Sequence, residues 1–96
     1  MMDQMGLRLT HKELKELNKV IMVVAIVEPL TTLPQVVQVM VDKDVSGVSV
    51  LTWGLYVFFE LIWLVYGLAI KNKPIVITNL LWIVMDSLVV VGVLIH

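Results

Sequence analysis

Apolar residues fill three stretches of this chain, and each stretch is long enough to cross a membrane. The stretches cover residues 20–41, 48–70 and 75–95. A helix rises about 1.5 Å per residue, so about 20 apolar residues span the roughly 30 Å of hydrocarbon in a bilayer. The pattern predicts an all-α membrane protein, integral and multi-pass in the cell membrane, with three transmembrane helices.

Helix-start and turn signals mark the ends of these stretches. Thr10 and Glu13 have the spacing of a capping box, in which each side chain bonds the other residue's backbone amide, so a helix is expected to begin there. Turn-forming residues at 42–47 and 71–74 separate the spans, and Pro74 suits the first turn of a third helix. Residues 1–19 are therefore predicted to be a lead and the start of an amphipathic helix, and residues 20–96 a three-span unit.

Three acids interrupt the apolar stretches: Glu28, Glu60 and Asp86. A charge at membrane depth costs about 2.5–3.5 kcal/mol even on lenient insertion scales, so each acid is expected to face protein or water rather than lipid. Three helices are too few to enclose such a polar interior alone.

Polar and aromatic residues also recur at intervals of three and four, which puts them on one face of each predicted helix. One such stripe alone arises equally well from hydrogen bonds between packed membrane helices. Three stripes that each hold a carboxylate favour a water-accessible cavity. Its candidate lining or coupling residues are Glu28, Thr31, Tyr56, Glu60, Trp82 and Asp86, and the stripes also include Gln35, Gln38, Asp42, Trp53, Trp63, Gly67 and Asn79.

Composition narrows the function further. The chain is 59% hydrophobic and has no cysteine and a net charge of −1, and its mean hydropathy is +0.96. Phosphate loops, His/Cys metal clusters and the reactive residue sets of hydrolases are absent from the sequence, as are basic patches with interleaved aromatics. We therefore expect no enzymatic activity, no cofactor or metal, and no nucleic-acid partner.

An ordered set of short motifs runs through the three spans: Leu33-Pro34-Gln35, Gly47-Val48-Ser49, Trp63-Leu64-Val65-Tyr66-Gly67, Pro74 and Asn79. In this order they resemble the bacterial SemiSWEET sugar transporters, three-helix members of the PQ-loop (MtN3) superfamily. The resemblance extends from Ala25 to the C-terminus. It implies half of a SWEET-like transporter, completed by a parallel homodimer, that moves a small sugar by facilitated diffusion (uniport) with alternating access.

The resemblance also implies roles for individual residues. Sugar would stack on Trp63 and hydrogen-bond to Asn79, and these contacts suit an indole face and an amide. Pro34 would be a hinge, with Gln35 as its polar neighbour, and Tyr66 would help to close one gate. Pro29, a second proline in the same span, adds to the expectation that this helix bends.

This chain departs from the family pattern in two ways. Many relatives have an arginine and an acid after the tyrosine, at the positions of Ile70 and Asn72 here. The three intramembrane acids are not part of the pattern either. They leave open a proton-coupled or cation-selective PQ-loop transporter for an amino acid or other small solute, with Glu28, Glu60 or Asp86 as the coupling site. A small assembly subunit without transport activity is a third reading.

The distribution of basic residues bears on orientation. Six lie on the side of the N-terminus and the second loop, whereas Lys43 alone lies on the other side. The positive-inside rule therefore predicts a cytoplasmic N-terminus. Relatives resembling this chain are usually drawn the other way, so the sequence leaves both orientations open.

Overall fold

The computed structural model describes residues 8–96, and these residues form four helices. They are α1 (His11–Leu30), α2 (Leu33–Met40), α3 (Val50–Ala69) and α4 (Lys73–Ile95). By length and composition, three helical stretches can cross a membrane: α1 with α2, α3, and α4. The predicted three-span membrane architecture is confirmed, and the part of the predicted lead at residues 1–7 lies outside the described residues.

The capping box at the start of α1 is confirmed. Thr10 Oγ1 accepts from the Glu13 amide, and Glu13 Oε1 accepts from the Thr10 amide, both at 3.1 Å. These bonds satisfy two of the amide groups that a helix N-terminus leaves without partners. From there α1 continues to Leu30, so the amphipathic start and the first half of the first span are one helix.

The first span consists of two helices, whereas the sequence predicted one helix with a bend. The Thr31 amide donates to the Glu28 carbonyl and the Thr32 amide to the Pro29 carbonyl, both at 3.1 Å and three residues back. Pro34 then occupies the first turn of α2, where a missing amide hydrogen costs nothing. Residues before and after the break therefore need not lie on the same face.

Both loops end in residues that cap the next helix. Asn72 accepts from the Ile75 amide at the start of α4, and Ser49 accepts from the Thr52 amide at the start of α3. In the first loop Asp44 Oδ1 accepts from both the hydroxyl and the amide of Ser46, which lowers the pKa of the Asp44 carboxyl. These short turns hold neighbouring spans close together.

The third span lies between the other two. On one side α4 packs against α3, and on the other it packs against α1 and α2. Few side chains are buried, and the largest completely buried ones are Val39, Val89, Asp86 and Pro29. Large apolar side chains cover the outside, including Leu51, Phe58, Phe59 and Leu94. Such a surface suits lipid on its outer faces. Among the described helices, α4 contributes more buried residues than any other.

Candidate functional site

An open groove runs beside the second span near its C-terminal end. Its volume is about 590 Å³, and it is lined by Ile62, Trp63, Tyr66, Ile70, Asn72 and Ile75. A second pocket of about 290 Å³ shares Asn72 with it. The walls are mostly apolar and aromatic with one amide, which is the usual make-up of a small-molecule site.

Trp63 and Tyr66 form the aromatic wall of this groove. Their rings meet edge to face, with centroids 5.8 Å apart and an angle of 82° between the planes. About half of each side chain is exposed in the protomer, 54% for Trp63 and 50% for Tyr66. An indole face is therefore available for stacking against a ligand or a second protomer.

Asn79 lies at the same depth as Trp63 but inside the protomer. Gly67 of α3 packs against Ile75 of α4, and the two helices are antiparallel, so Trp63 and Asn79 each lie one turn beyond that contact. Asn79 is only 7% exposed, and its Nδ2 donates to the Ile75 carbonyl at 2.8 Å. The structure thus aligns the two predicted sugar-binding residues in height without exposing both to the same groove.

The predicted hinge coincides with the break in the first span. Pro34 is exposed at the start of α2, whereas Gln35 is partly buried and its Nε2 atom has no hydrogen-bond partner. Thr31 Oγ1 donates to the Glu28 carbonyl at 2.6 Å, and Thr32 is buried. The break is therefore stabilised by hydrogen bonds that Thr31 and Thr32 donate, and Pro34 has no amide hydrogen to donate.

The remaining candidate residues fall into two groups. Glu28, Thr31 and Tyr56 are exposed in the protomer, and Glu28 borders a cleft of about 170 Å³ between α1 and α4. Tyr56 contacts Trp53 edge to face at 5.4 Å between centroids. Glu60 and Trp82 are half-buried and Asp86 is 1% exposed, so these side chains point toward the interior.

Glu60 and Asp86 meet across the contact between α3 and α4. Their carboxyl groups lie within hydrogen-bonding distance, which gives a bond when one of them carries a proton. Apart from this contact, Glu60 Oε1 and Asp86 Oδ1 are buried without a partner among the described residues. Sequence reasoning expected both acids in one interior but not their direct contact, because each stripe was defined on one helix alone.

Sequence reasoning also missed two features of the site. Asn72 was noted only as a departure from the family's gate, whereas it both caps α4 and lines the groove. An asparagine two residues before Pro74 is typical of an N-cap, so the sequence could have predicted the capping role of Asn72. Gly92 was missed as the point where α2 approaches α4, since a Cβ there would lie 2.5 Å from Val39 Cγ2.

Three transmembrane helices with an aromatic groove and a polar interior define a small integral membrane protein of the solute-transporter class. Residues 15–94 match the family described as sugar efflux transporter for intercellular exchange (MtN3). The chain is 36% identical over 84 residues to the sugar transporter SemiSWEET of Vibrio sp. (strain N418), which covers 85% of this chain and 87% of that protein. The chain belongs to the MtN3 family of SemiSWEET sugar transporters.

Membership of this family and the three spans confirm three sequence-based expectations. The motifs that resembled SemiSWEET proteins identified the family correctly. The family consists of transporters, so the chain is not an enzyme, and its three spans make it a multi-pass integral membrane protein.

Proposed function

We propose that this protein is a uniporter for a small sugar, built as a parallel homodimer that alternates between inward- and outward-facing states. The observation that carries the proposal is the exposed Trp63–Tyr66 pair beside a groove of about 590 Å³. An indole offers a flat apolar face to the C–H face of a sugar ring. The 36% identity of this chain to a SemiSWEET sugar transporter supports sugar as the substrate class.

Asn79 is the proposed hydrogen-bonding residue. Its Nδ2 donates one bond to the Ile75 carbonyl, and an amide has a second N–H and a carbonyl oxygen with which to bind hydroxyl groups. Because Asn79 is buried in the protomer, its contact with a sugar requires the helices around it to move. The break between α1 and α2, beside Pro34, provides the hinge for that movement.

The incompleteness of one protomer supports the proposed dimer. The groove is open on one side, and the exposed part of the protomer includes Glu28, Tyr56 and Trp63 as well as purely apolar residues. A second copy related by a two-fold axis would cover the polar positions and leave the apolar faces to lipid. SWEET-type transporters are in general built from parallel repeats related by an axis along the membrane normal.

Proton-coupled transport is the second candidate, and the observation that favours it is the buried, otherwise unpartnered carboxyl pair of Glu60 and Asp86. Intramembrane acids often mark proton relays in transporters. The two candidates differ in what drives net uptake. A uniporter equilibrates its substrate and ignores a pH gradient, whereas a proton-coupled carrier concentrates it.

The test is a counterflow screen of neutral sugars and amino acids in liposomes containing the purified protein, with and without a pH gradient. Uniport predicts exchange of at least one sugar, no exchange of amino acids, and no accumulation above equilibrium when a gradient is imposed. Gradient-driven accumulation would replace uniport by the coupled mechanism. Exchange of amino acids alone would show that the substrate class is wrong.

A further inference from the structure

Three buried polar atoms in the described part of the chain lack an evident hydrogen-bond partner: Gln35 Nε2, Glu60 Oε1 and Asp86 Oδ1. Each comes from a different span, namely α2, α3 and α4. A polar atom buried away from water is costly unless it is paired, and more so at membrane depth, where water is scarce. One donor and two acid oxygens therefore share the interior of one protomer.

The three side chains lie in a common layer. Val39 packs against Gly92 where the first span runs parallel to α4, and Gln35 is one turn before Val39, which brings it to about the height of Asp86. On the other side of α4, Glu60 lies two turns before Gly67, and its carboxyl reaches that of Asp86. We call Gln35, Glu60 and Asp86 the buried polar layer.

We propose that the buried polar layer is a binding site for a single proton within each protomer. Glu60 carries the proton and donates it in a hydrogen bond to the Asp86 carboxylate, while the Gln35 amide donates to the remaining buried oxygen of Asp86. The proton is taken from water, and no other reactant is needed. In this arrangement each of the three atoms has a partner, and the layer holds one negative charge instead of two.

Basic side chains do not offer another way to compensate the two acids. In the described residues they lie outside the middle of the spans: Arg8, His11, Lys12, Lys15, Lys19, Lys43, Lys71, Lys73 and His96. The acids Glu13 and Glu16 lie in the first turns of α1, far from the layer. Glu28 of α1 and Tyr56 of α3 are exposed, and Tyr66 faces the groove. On α2 the polar residues are the uncharged Gln35 and Gln38, and Gln38 donates to the Asp44 carbonyl.

The proton links α3 to α4 and, through Gln35, to the half of the first span that follows the break. Losing it would leave two carboxylates facing each other between α3 and α4. The layer keeps its hydrogen bonds only while this proton is bound. Stability from the layer is therefore complete at low pH and is lost as the pH rises through the point at which the folded protein releases the proton.

The first test is thermal unfolding of the purified full-length protein between about pH 5 and about pH 9. We expect the Tm of the wild type to fall toward high pH by about 5 °C per pH unit over the range where the proton leaves. Glu60→Gln keeps a donor to Asp86 without a titrating group, so its Tm should change less with pH. Glu28→Gln is the matched control, since it removes an intramembrane acid outside the layer and should keep the wild-type slope.

Infrared spectroscopy of the wild type provides a readout that requires no variant to fold. A protonated carboxyl has a carbonyl stretch distinct from that of a carboxylate, and this band should be present at neutral pH and disappear at high pH. It should persist in Glu28→Gln and be lost in Glu60→Gln and in Asp86→Asn, where the remaining acid accepts from amides. A wild type without the band at neutral pH, or a Glu60→Gln protein that retains it, would overturn the proposal.

Discussion

Gly67 of α3 packs against Ile75 of α4 so closely that a Cβ at Gly67 would lie 2.6 Å from Ile75 Cγ2. Val76 approaches the same point at 3.3 Å. This contact fixes the register of the two antiparallel helices. Trp63 lies one turn before Gly67 and Asn79 one turn after Ile75, so both lie at the same height. The glycine thus sets the relative height of both proposed sugar-binding residues.

The first prediction concerns this register. Gly67→Ala should overpack the contact and destabilise the protein by about 1–3 kcal/mol, because the backbone of α3 must move away from Ile75. Gly54→Ala is the matched control in the same helix, since nothing lies within 4 Å of a Cβ there. Unfolding of both variants in the same detergent measures the difference. Equal stability of the two variants would mean that the close contact does not hold the helices in register.

Much of this fold could be predicted from the sequence because membrane insertion depends on local hydropathy. The three spans and the cap at Thr10 and Glu13 are features of contiguous residues, and the structure confirms them. The break at Thr31 and Thr32 was predicted only as a bend. Whether two prolines bend or divide a helix depends on the bonds their neighbours make, here the backward bonds to Glu28 and Pro29.

The candidate site was less predictable, since it depends on how the spans pack. Helical periodicity put Glu60 and Asp86 on the polar faces of separate helices, but it does not say which helix lies in the middle. The central position of α4 is what brings these two acids together and buries Asp86. Asn79 is buried for the same reason, so its predicted contact with sugar requires a movement that the sequence pattern did not indicate.

The second prediction addresses substrate binding. Trp63→Ala and Asn79→Ala should each weaken sugar binding by about 1–3 kcal/mol, through loss of a stacking face or of a buried hydrogen bond. Phe58→Ala is the control, because it also truncates an exposed aromatic of α3 but lies outside the groove. Exchange rates in liposomes, measured over a range of sugar concentrations, separate binding from turnover. Unchanged exchange in both Trp63→Ala and Asn79→Ala would place the sugar site elsewhere.

The third prediction concerns Pro34. In Pro34→Ala the residue gains an amide hydrogen that can bond to the Leu30 carbonyl, which would extend α1 toward α2 and stiffen the break. Transport should therefore slow more than substrate binding weakens. Comparing the exchange rate with the equilibrium affinity, measured on the same preparation, checks this. If affinity falls as much as the transport rate, Pro34 determines the structure of the binding pocket and does not act as a hinge.

The fourth prediction concerns the assembly, and the absence of cysteine from the sequence makes it direct to test. The two loops lie at opposite ends of α3, whose length is about 30 Å at 1.5 Å per residue, so a short cross-linker cannot join unlike loops of a parallel dimer. We expect Ser46→Cys protomers to cross-link to each other, and Lys71→Cys protomers likewise. A mixture of the two variants should give only like-to-like products, because both copies enter the membrane in one orientation.

Two controls make the cross-linking decisive. Dilution into excess lipid before the reaction separates a stable dimer from chance encounters, since only the latter fall with protein concentration in the membrane. Trp63→Ala should leave the products unchanged if the indole binds sugar, and should reduce them if it serves the dimer contact. Products that join Ser46→Cys to Lys71→Cys would indicate an antiparallel dimer, in which the two grooves face opposite sides of the membrane and cannot form one cavity.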